Sequence, residues 1–180
     1  MILIGIGSNM VSPQYGAPRT TCGAALEALN EFGIIITDRS RWYKSAPVPV
    51  SDQPWFINAV IKVKSKHSPE KLMELLLRIE KRFGRIRGEK NAPRILDLDI
   101  IAYNKLVLSI NNRNLPALEL PHPKLQDRAF VLKPLCDIAP EWRHPIKSLS
   151  PNEMIARLPQ GQQTELLVDA TGIYGTEWKS

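Results

Sequence analysis

At 180 residues, with 43% hydrophobic and 23% charged side chains, the chain suits one soluble globular domain, which excludes intrinsic disorder and leaves no room for two ordinary domains. Its 24 basic and 18 acidic residues give a net charge of +6, which favours an anionic partner such as nucleotide, phosphate ester, nucleic acid or lipid surface without choosing among them.

In chain order, Met1-Ile-Leu-Ile-Gly-Ile has no basic segment ahead of its apolar run and meets Gly7-Ser8-Asn9 too soon for a signal peptide. No apolar run approaches the roughly 20 residues of a membrane helix, so a cytoplasmic protein is expected. Ile2 to Ile6 reads as a short buried strand closed by turn-tolerant residues, and a loop through Pro13 and Pro18 follows. From about Thr20 to Phe32, Cys22, Ala25, Leu26, Leu29 and Phe32 recur at helical spacing, with Gly33 at the stop. Cys22 and Cys136 are too few for a disulfide framework, and both are read as buried thiols.

Ile34 to Ile36 starts a second strand, and the three prolines between Ser45 and Pro54 predict a loop of fixed shape. Ile57 to Lys64 alternates as a half-buried strand. A helix then begins at Ser68 as N-cap with Pro69 next, carries Leu72, Leu75, Leu76, Ile79 and Phe83 as its apolar stripe, and ends at Gly84. In the strand from Ile95 to Tyr103, Leu96, Leu98 and Ile100 face one way while Asp97 and Asp99 face the other.

This βαββαβ order predicts an α+β, ferredoxin-like core: two helices on one face of a mainly antiparallel four-stranded sheet, with the opposite face free for a site. The many prolines after Tyr103 predict loops and short elements, and Ser150-Pro151-Asn152-Glu153 a capped late helix. His67 and His144, beside turn residues, are read as solvated. The core is expected over about residues 1–145, with a C-terminal extension over about 146–180 that has no assigned role.

Carboxylates two apart on a strand project side by side and repel unless a cation lies between them. Mg²⁺ suits Asp97 and Asp99, because it is typically held by one or two carboxylates plus waters and substrate phosphates. The alternative is a pair of solvated acids on an open sheet face. Arg82, Arg85, Arg87, Lys90 and Arg94 precede the pair within a short stretch containing Gly and Pro, and cations beside metal-binding acids point to a polyphosphate. The chain has neither G-x-x-x-x-G-K-[ST] nor G-x-G-x-x-G, so neither a P-loop nor a Rossmann site is expected. A single-stranded RNA-binding module would also suit the fold and the charge, but carboxylates on the sheet face would repel a phosphate backbone.

Arg85-Ile-Arg87 followed by Pro93-Arg94-Ile-Leu96-Asp97-Leu98-Asp99-Ile100 resembles the signature of the 6-hydroxymethyl-7,8-dihydropterin pyrophosphokinases. Gly7-Ser8-Asn9, Tyr43-Lys-Ser45-Ala-Pro47, Asp52-Gln53-Pro54-Trp-Phe56-Ile-Asn58-Ala59 and Leu120-Pro121-His122-Pro-Lys-Leu-Gln-Asp-Arg128-Ala-Phe130 occur in family order over about residues 1–145. The resemblance implies transfer of a pyrophosphoryl group from ATP to the hydroxymethyl of a reduced pterin, giving AMP and a pterin diphosphate for folate synthesis, with two Mg²⁺ ions.

By the same resemblance, Asp97 and Asp99 hold both ions, Arg85, Arg87 and Arg94 contact or close over the phosphates, and Glu80, Ile100, His122 and Arg128 lie at the nucleotide. Phe56 and Phe130 sandwich the pterin, Asn58 and groups around Ser45, Ala46 and Val48 read its edge, and Asp97 also reaches it. No nucleic acid, no membrane and a monomer are expected. The chain departs from the family pattern at Asn91-Ala92, where a Trp is frequent ahead of the Pro-Arg, and at Ala46, where a proline is frequent.

Overall fold

The computed structural model describes residues 1–86, 92–111 and 116–180. Its elements are β1 (Ile2–Ser8), α1 (Pro18–Glu31), β2 (Ile35–Arg39), β3 (Trp42–Ser45), β4 (Phe56–Lys64), α2 (Pro69–Arg82), β5 (Asp97–Tyr103), β6 (Leu108–Ile110), β7 (Leu118–Leu120), a 3-10 turn at Leu125–Asp127, α3 (Ala129–Ile138), α4 (Pro151–Ile155) and β8 (Thr164–Leu167). The main sheet runs β5-β1-β4-β3-β8, with β2 also on β4, and its pairs are antiparallel. Its first part is the predicted ferredoxin-like core, in which β1 lies between β5 and β4.

The second predicted strand is two. β2 pairs with one half of β4 and β3 with the other, and Ser40 bridges the break: its N–H donates to Val60 O (2.9 Å) and its Oγ accepts the Val60 N–H (3.0 Å). α1 begins at Pro18, two residues before the expected start, because the first helical position needs no N–H from proline. In α2, the Ser68 side chain accepts from Lys71 N, as an N-cap should.

The apolar faces of α1 and α2 bury Leu26, Leu29, Leu72 and Leu76 against Ile4, Ile6, Ile61 and Leu98 of the sheet. The opposite face is not free along its whole length, as the sequence had suggested. A second cluster joins Leu3, Val60 and Ile101 to Val131, Leu132 and Leu135 of α3 and to Met154 of α4. α3 contains Pro134 in its interior, and burial of its apolar side chains stabilises a helix that proline punctuation argued against. At the other end of that face β1 presents only Gly5 and Gly7, so a recess remains between Asn58 on β4 and Asp97 and Asp99 on β5. A Cβ on Gly7 would stand 2.9 Å from Asn58 Oδ1, so a larger residue there would push the amide out of place.

Two further expectations need correction. Cys22 is buried in α1, but Cys136 is half-buried, because its Sγ lies 3.2 Å from Asn152 Oδ1 near the surface. His144 is buried rather than solvated: its Nδ1 accepts from Ile146 N and Lys147 N, each at 3.2 Å, and burial lowers its pKa. His67 is half-buried, with Nε2 2.9 Å from Phe32 O.

Candidate active site

The alternation predicted for β5 is present. Leu98 and Ile100 are buried among the helices, while Asp97 and Asp99 point into the recess. Asp97 sits between two guanidiniums, with Arg85 Nη1 donating to its Oδ1 (2.5 Å) and Arg94 Nη1 to its Oδ2 (2.8 Å). Asp99 is recessed on the floor, where desolvation first and the Asp97 charge second push its carboxyl up to about 6, against Arg128, Arg85 and Arg94.

Glu80, at the end of α2, is 2% exposed. Its Oε1 accepts the Leu98 N–H (2.8 Å) and an Arg85 N–H, so it ties the helix end to β5 and fixes the base of Arg85. Arg85 and Glu80 form an ion pair, while Arg87, Lys90 and Asn91 lie outside the described residues. Burial raises Glu80 to about 7, with Arg85 acting in the opposite sense.

Asn9 is a positioning residue that sequence reasoning placed in a motif without a role. Its Oδ1 accepts the Arg94 N–H (2.8 Å), its own N–H donates to Arg94 O (3.1 Å), and its Nδ2 donates to Pro54 O (3.0 Å) and to Gln53 Oε1 (3.3 Å). One buried amide thus holds the basic loop against the loop that precedes β4. The signal in the sequence is a polar residue with local hydrogen-bonding capacity directly after a glycine-bearing strand.

Two cavities meet at Arg94, Asp97 and Asp99. The first, about 310 Å³, holds Phe56, Asn58, Ser45, Ala46, Val48 and Phe130, together with Arg128. Asn58 Nδ2 donates to Ser45 Oγ (2.8 Å), which leaves the amide fixed at the cavity wall. The second, about 340 Å³, holds Glu80, Arg85, Ile100 and His122. Arg128, read from the resemblance as a nucleotide residue, lines the first cavity, where its guanidinium carbon stands 5.6 Å from the Phe130 ring centre. Burial, then the neighbouring Arg128, lowers His122 to about 4, so its ring is neutral near pH 7. Its Nδ1 accepts the Lys124 N–H (3.1 Å), which places the ring proton on Nε2 and makes it a donor.

The donor set fits Mg²⁺. Two carboxylates offer hard oxygen ligands side by side, and a cation would relieve the repulsion that raises Asp99. Among the described residues no group of three or more His, Cys, Asp or Glu could hold a metal, so the remaining ligands would be water and substrate phosphate. No helix among those residues is long and apolar enough to cross a membrane.

Residues 3–140 match the family model of 7,8-dihydro-6-hydroxymethylpterin-pyrophosphokinase. A 2-amino-4-hydroxy-6-hydroxymethyldihydropteridine pyrophosphokinase of Synechocystis is 42% identical over 143 residues, covering 79% of this chain and 68% of that protein. Its namesake in Pseudomonas aeruginosa is 36% identical over 168 residues, covering 88% and 96%. A folic acid synthesis protein of Pneumocystis carinii is 40% identical over 126 residues, 70% of this chain but only 16% of that longer protein. The chain spans 18% and 23% of two further long relatives, from Dictyostelium discoideum and Arabidopsis thaliana. Wild-type HPPK-DHPS of Plasmodium falciparum superposes with a TM-score of 0.69 at 14% identity over 87% of this chain and 44% of that one, a likeness of fold.

Proposed function

The chain belongs to the 7,8-dihydro-6-hydroxymethylpterin-pyrophosphokinase family, and on that premise we propose that it transfers pyrophosphate from ATP to 6-hydroxymethyl-7,8-dihydropterin, giving AMP and the pterin diphosphate for tetrahydrofolate synthesis. The observation that supports this reading most is the meeting of two unlike cavities at one carboxylate pair. One is walled by two phenylalanines and a fixed amide; the other by a neutral histidine donor and arginine.

In this reading the flat pterin ring stacks between Phe56 and Phe130, Asn58 reads its hydrogen-bonding edge beside Ser45, Ala46 and Val48, and the hydroxymethyl points to the junction. The triphosphate lies in the second cavity, where His122 Nε2–H donates to the nucleotide and Arg85 and Arg94 donate to phosphate oxygens. The hydroxymethyl oxygen forms a bond to the β-phosphorus and gives up its proton to solvent, as the bond from that phosphorus to the α–β bridging oxygen breaks and AMP leaves with that oxygen and the bonding electron pair. Asp97 and Asp99 would hold two Mg²⁺ ions, which when bound neutralise phosphate charge. The chain's own contribution is positioning: Glu80 holds the Arg85 guanidinium, while Asn9 holds the Arg94 backbone and Ala92 O accepts from Arg94 Nε, so both guanidiniums are in place before reaction. Asp97 also reaches the pterin side.

ATP should be consumed only when the reduced pterin and Mg²⁺ are both present; EDTA should stop turnover and added Mg²⁺ restore it. Turnover undiminished in EDTA would remove the metal from this reading, and ATP consumption without pterin would remove the acceptor.

A further inference from the structure

Beyond the residues matched to the family, the chain returns to the wall of the first cavity at three adjacent positions. Gln162 Oε1 accepts the Ala129 N–H (2.8 Å), at the start of α3, and its Nε2 donates to Asp127 O (2.8 Å). One side chain thus clamps the backbone on both sides of Arg128. Next to it, Gln163 O accepts the Ala46 N–H (3.2 Å). Thr164 then pairs with Ser45 in the β3–β8 ladder, and its carbonyl accepts from Lys133 Nζ (3.0 Å) on α3.

Ser45, Ala46, Arg128 and Phe130 all line that cavity. The first turn of a helix has N–H groups with no partner inside the helix, and Arg128, at the N-cap of α3, supplies no side-chain hydrogen bond. Gln162 supplies it from the far end of the chain. The segment is anchored on its other side: Trp42 Nε1 donates to Tyr174 O (2.9 Å), Trp178 Nε1 to Glu27 Oε2 (2.7 Å), and Thr176 packs against Gly23.

We propose that residues 162–164 form a positioning element that fixes the separation of the two walls of the pterin cavity, with Gln162 as its principal residue; this rests on the reading of that cavity as the pterin site. The element joins the end of β3 to the start of α3, and Phe130 can oppose Phe56 at a set distance only while both are held. Gln162 is half-buried, so water can replace its hydrogen bonds when it is removed. Its loss therefore acts on the cavity more than on global stability.

Steady-state kinetics of the native chain, Gln162→Ala and Gln162→Glu, with each substrate varied in turn, tests the proposal. Gln162→Ala should raise the pterin KM about 5- to 10-fold, the worth of one or two hydrogen bonds, with the ATP KM and thermal midpoint near native values. Gln162→Glu keeps the acceptor for Ala129 N–H but loses the donor, and should fall between. An unchanged pterin KM, or pterin and ATP KM rising together, would overturn the proposal. Should the native chain not turn over the pterin, the functional reading fails on its own, and amide exchange then decides the positioning element. Faster exchange at Ala129 and Ala46 in Gln162→Ala supports it; native rates contradict it.

Discussion

Asp97→Ala and Asp99→Ala, each purified as folded protein, should lose at least about 10³-fold in turnover, because each removes an oxygen ligand at the point where phosphate charge must be neutralised. Neither change should unfold the chain. Asp99 lies on the cavity floor under desolvation that already raises its pKa, so removing it relieves a cost. Asp97 leaves behind two guanidiniums; Arg85 keeps Glu80, and Arg94 keeps its side-chain contact with Ala92 O and its backbone contact with Asn9. Asp97→Asn preserves shape without charge and should be almost as inactive. Near-native turnover in folded Asp97→Ala or Asp99→Ala would remove the metal assignment.

Phe130→Ala should weaken pterin binding about 10- to 100-fold, the worth of one aromatic stacking face, while ATP binding changes by less than about threefold. The asymmetry follows from placement: Phe130 lines the first cavity and is absent from the lining of the second. The same substitution removes the platform under Arg128, so Phe56→Ala is the cleaner companion, since it takes away the opposite face without touching that contact. Calorimetry with each ligand separately reads the split. Equal losses for pterin and ATP would contradict the sandwich.

What was legible in the sequence was what period and chemistry encode together. The two-residue alternation of β5 put Leu98 in the core and the two aspartates in the recess. The capping of α2 at Ser68 and of α4 at Ser150 and Glu153 followed from local hydrogen bonding alone. β3 was less visible, because its four residues lead into a proline-rich loop and their pairing depends on β4 and β8 at distant positions. α3 was obscured by Pro134, whose local cost is outweighed by burial against Leu3, Val60 and Ile101.

The site divides in the same way. Residue type located Asp97, Asp99 and the arginines, but nothing in the spacing of Arg128 could say that its side chain lies along Phe130 rather than in the second cavity. Gln162 was invisible for a related reason, since its partners stand more than thirty residues earlier and its side chain carries no charge to draw notice. Burial of His144, likewise, depends on the turn that closes around its ring and not on the proline beside it.

ATP labelled in its β-phosphate tests the central claim most directly. Incubated with the native chain, Mg²⁺ and 6-hydroxymethyl-7,8-dihydropterin, pyrophosphoryl transfer should carry the label into the pterin product and leave unlabelled AMP in equal amount. Label retained in ADP, beside a pterin monophosphate, would contradict it and make the site that of a single-phosphoryl kinase.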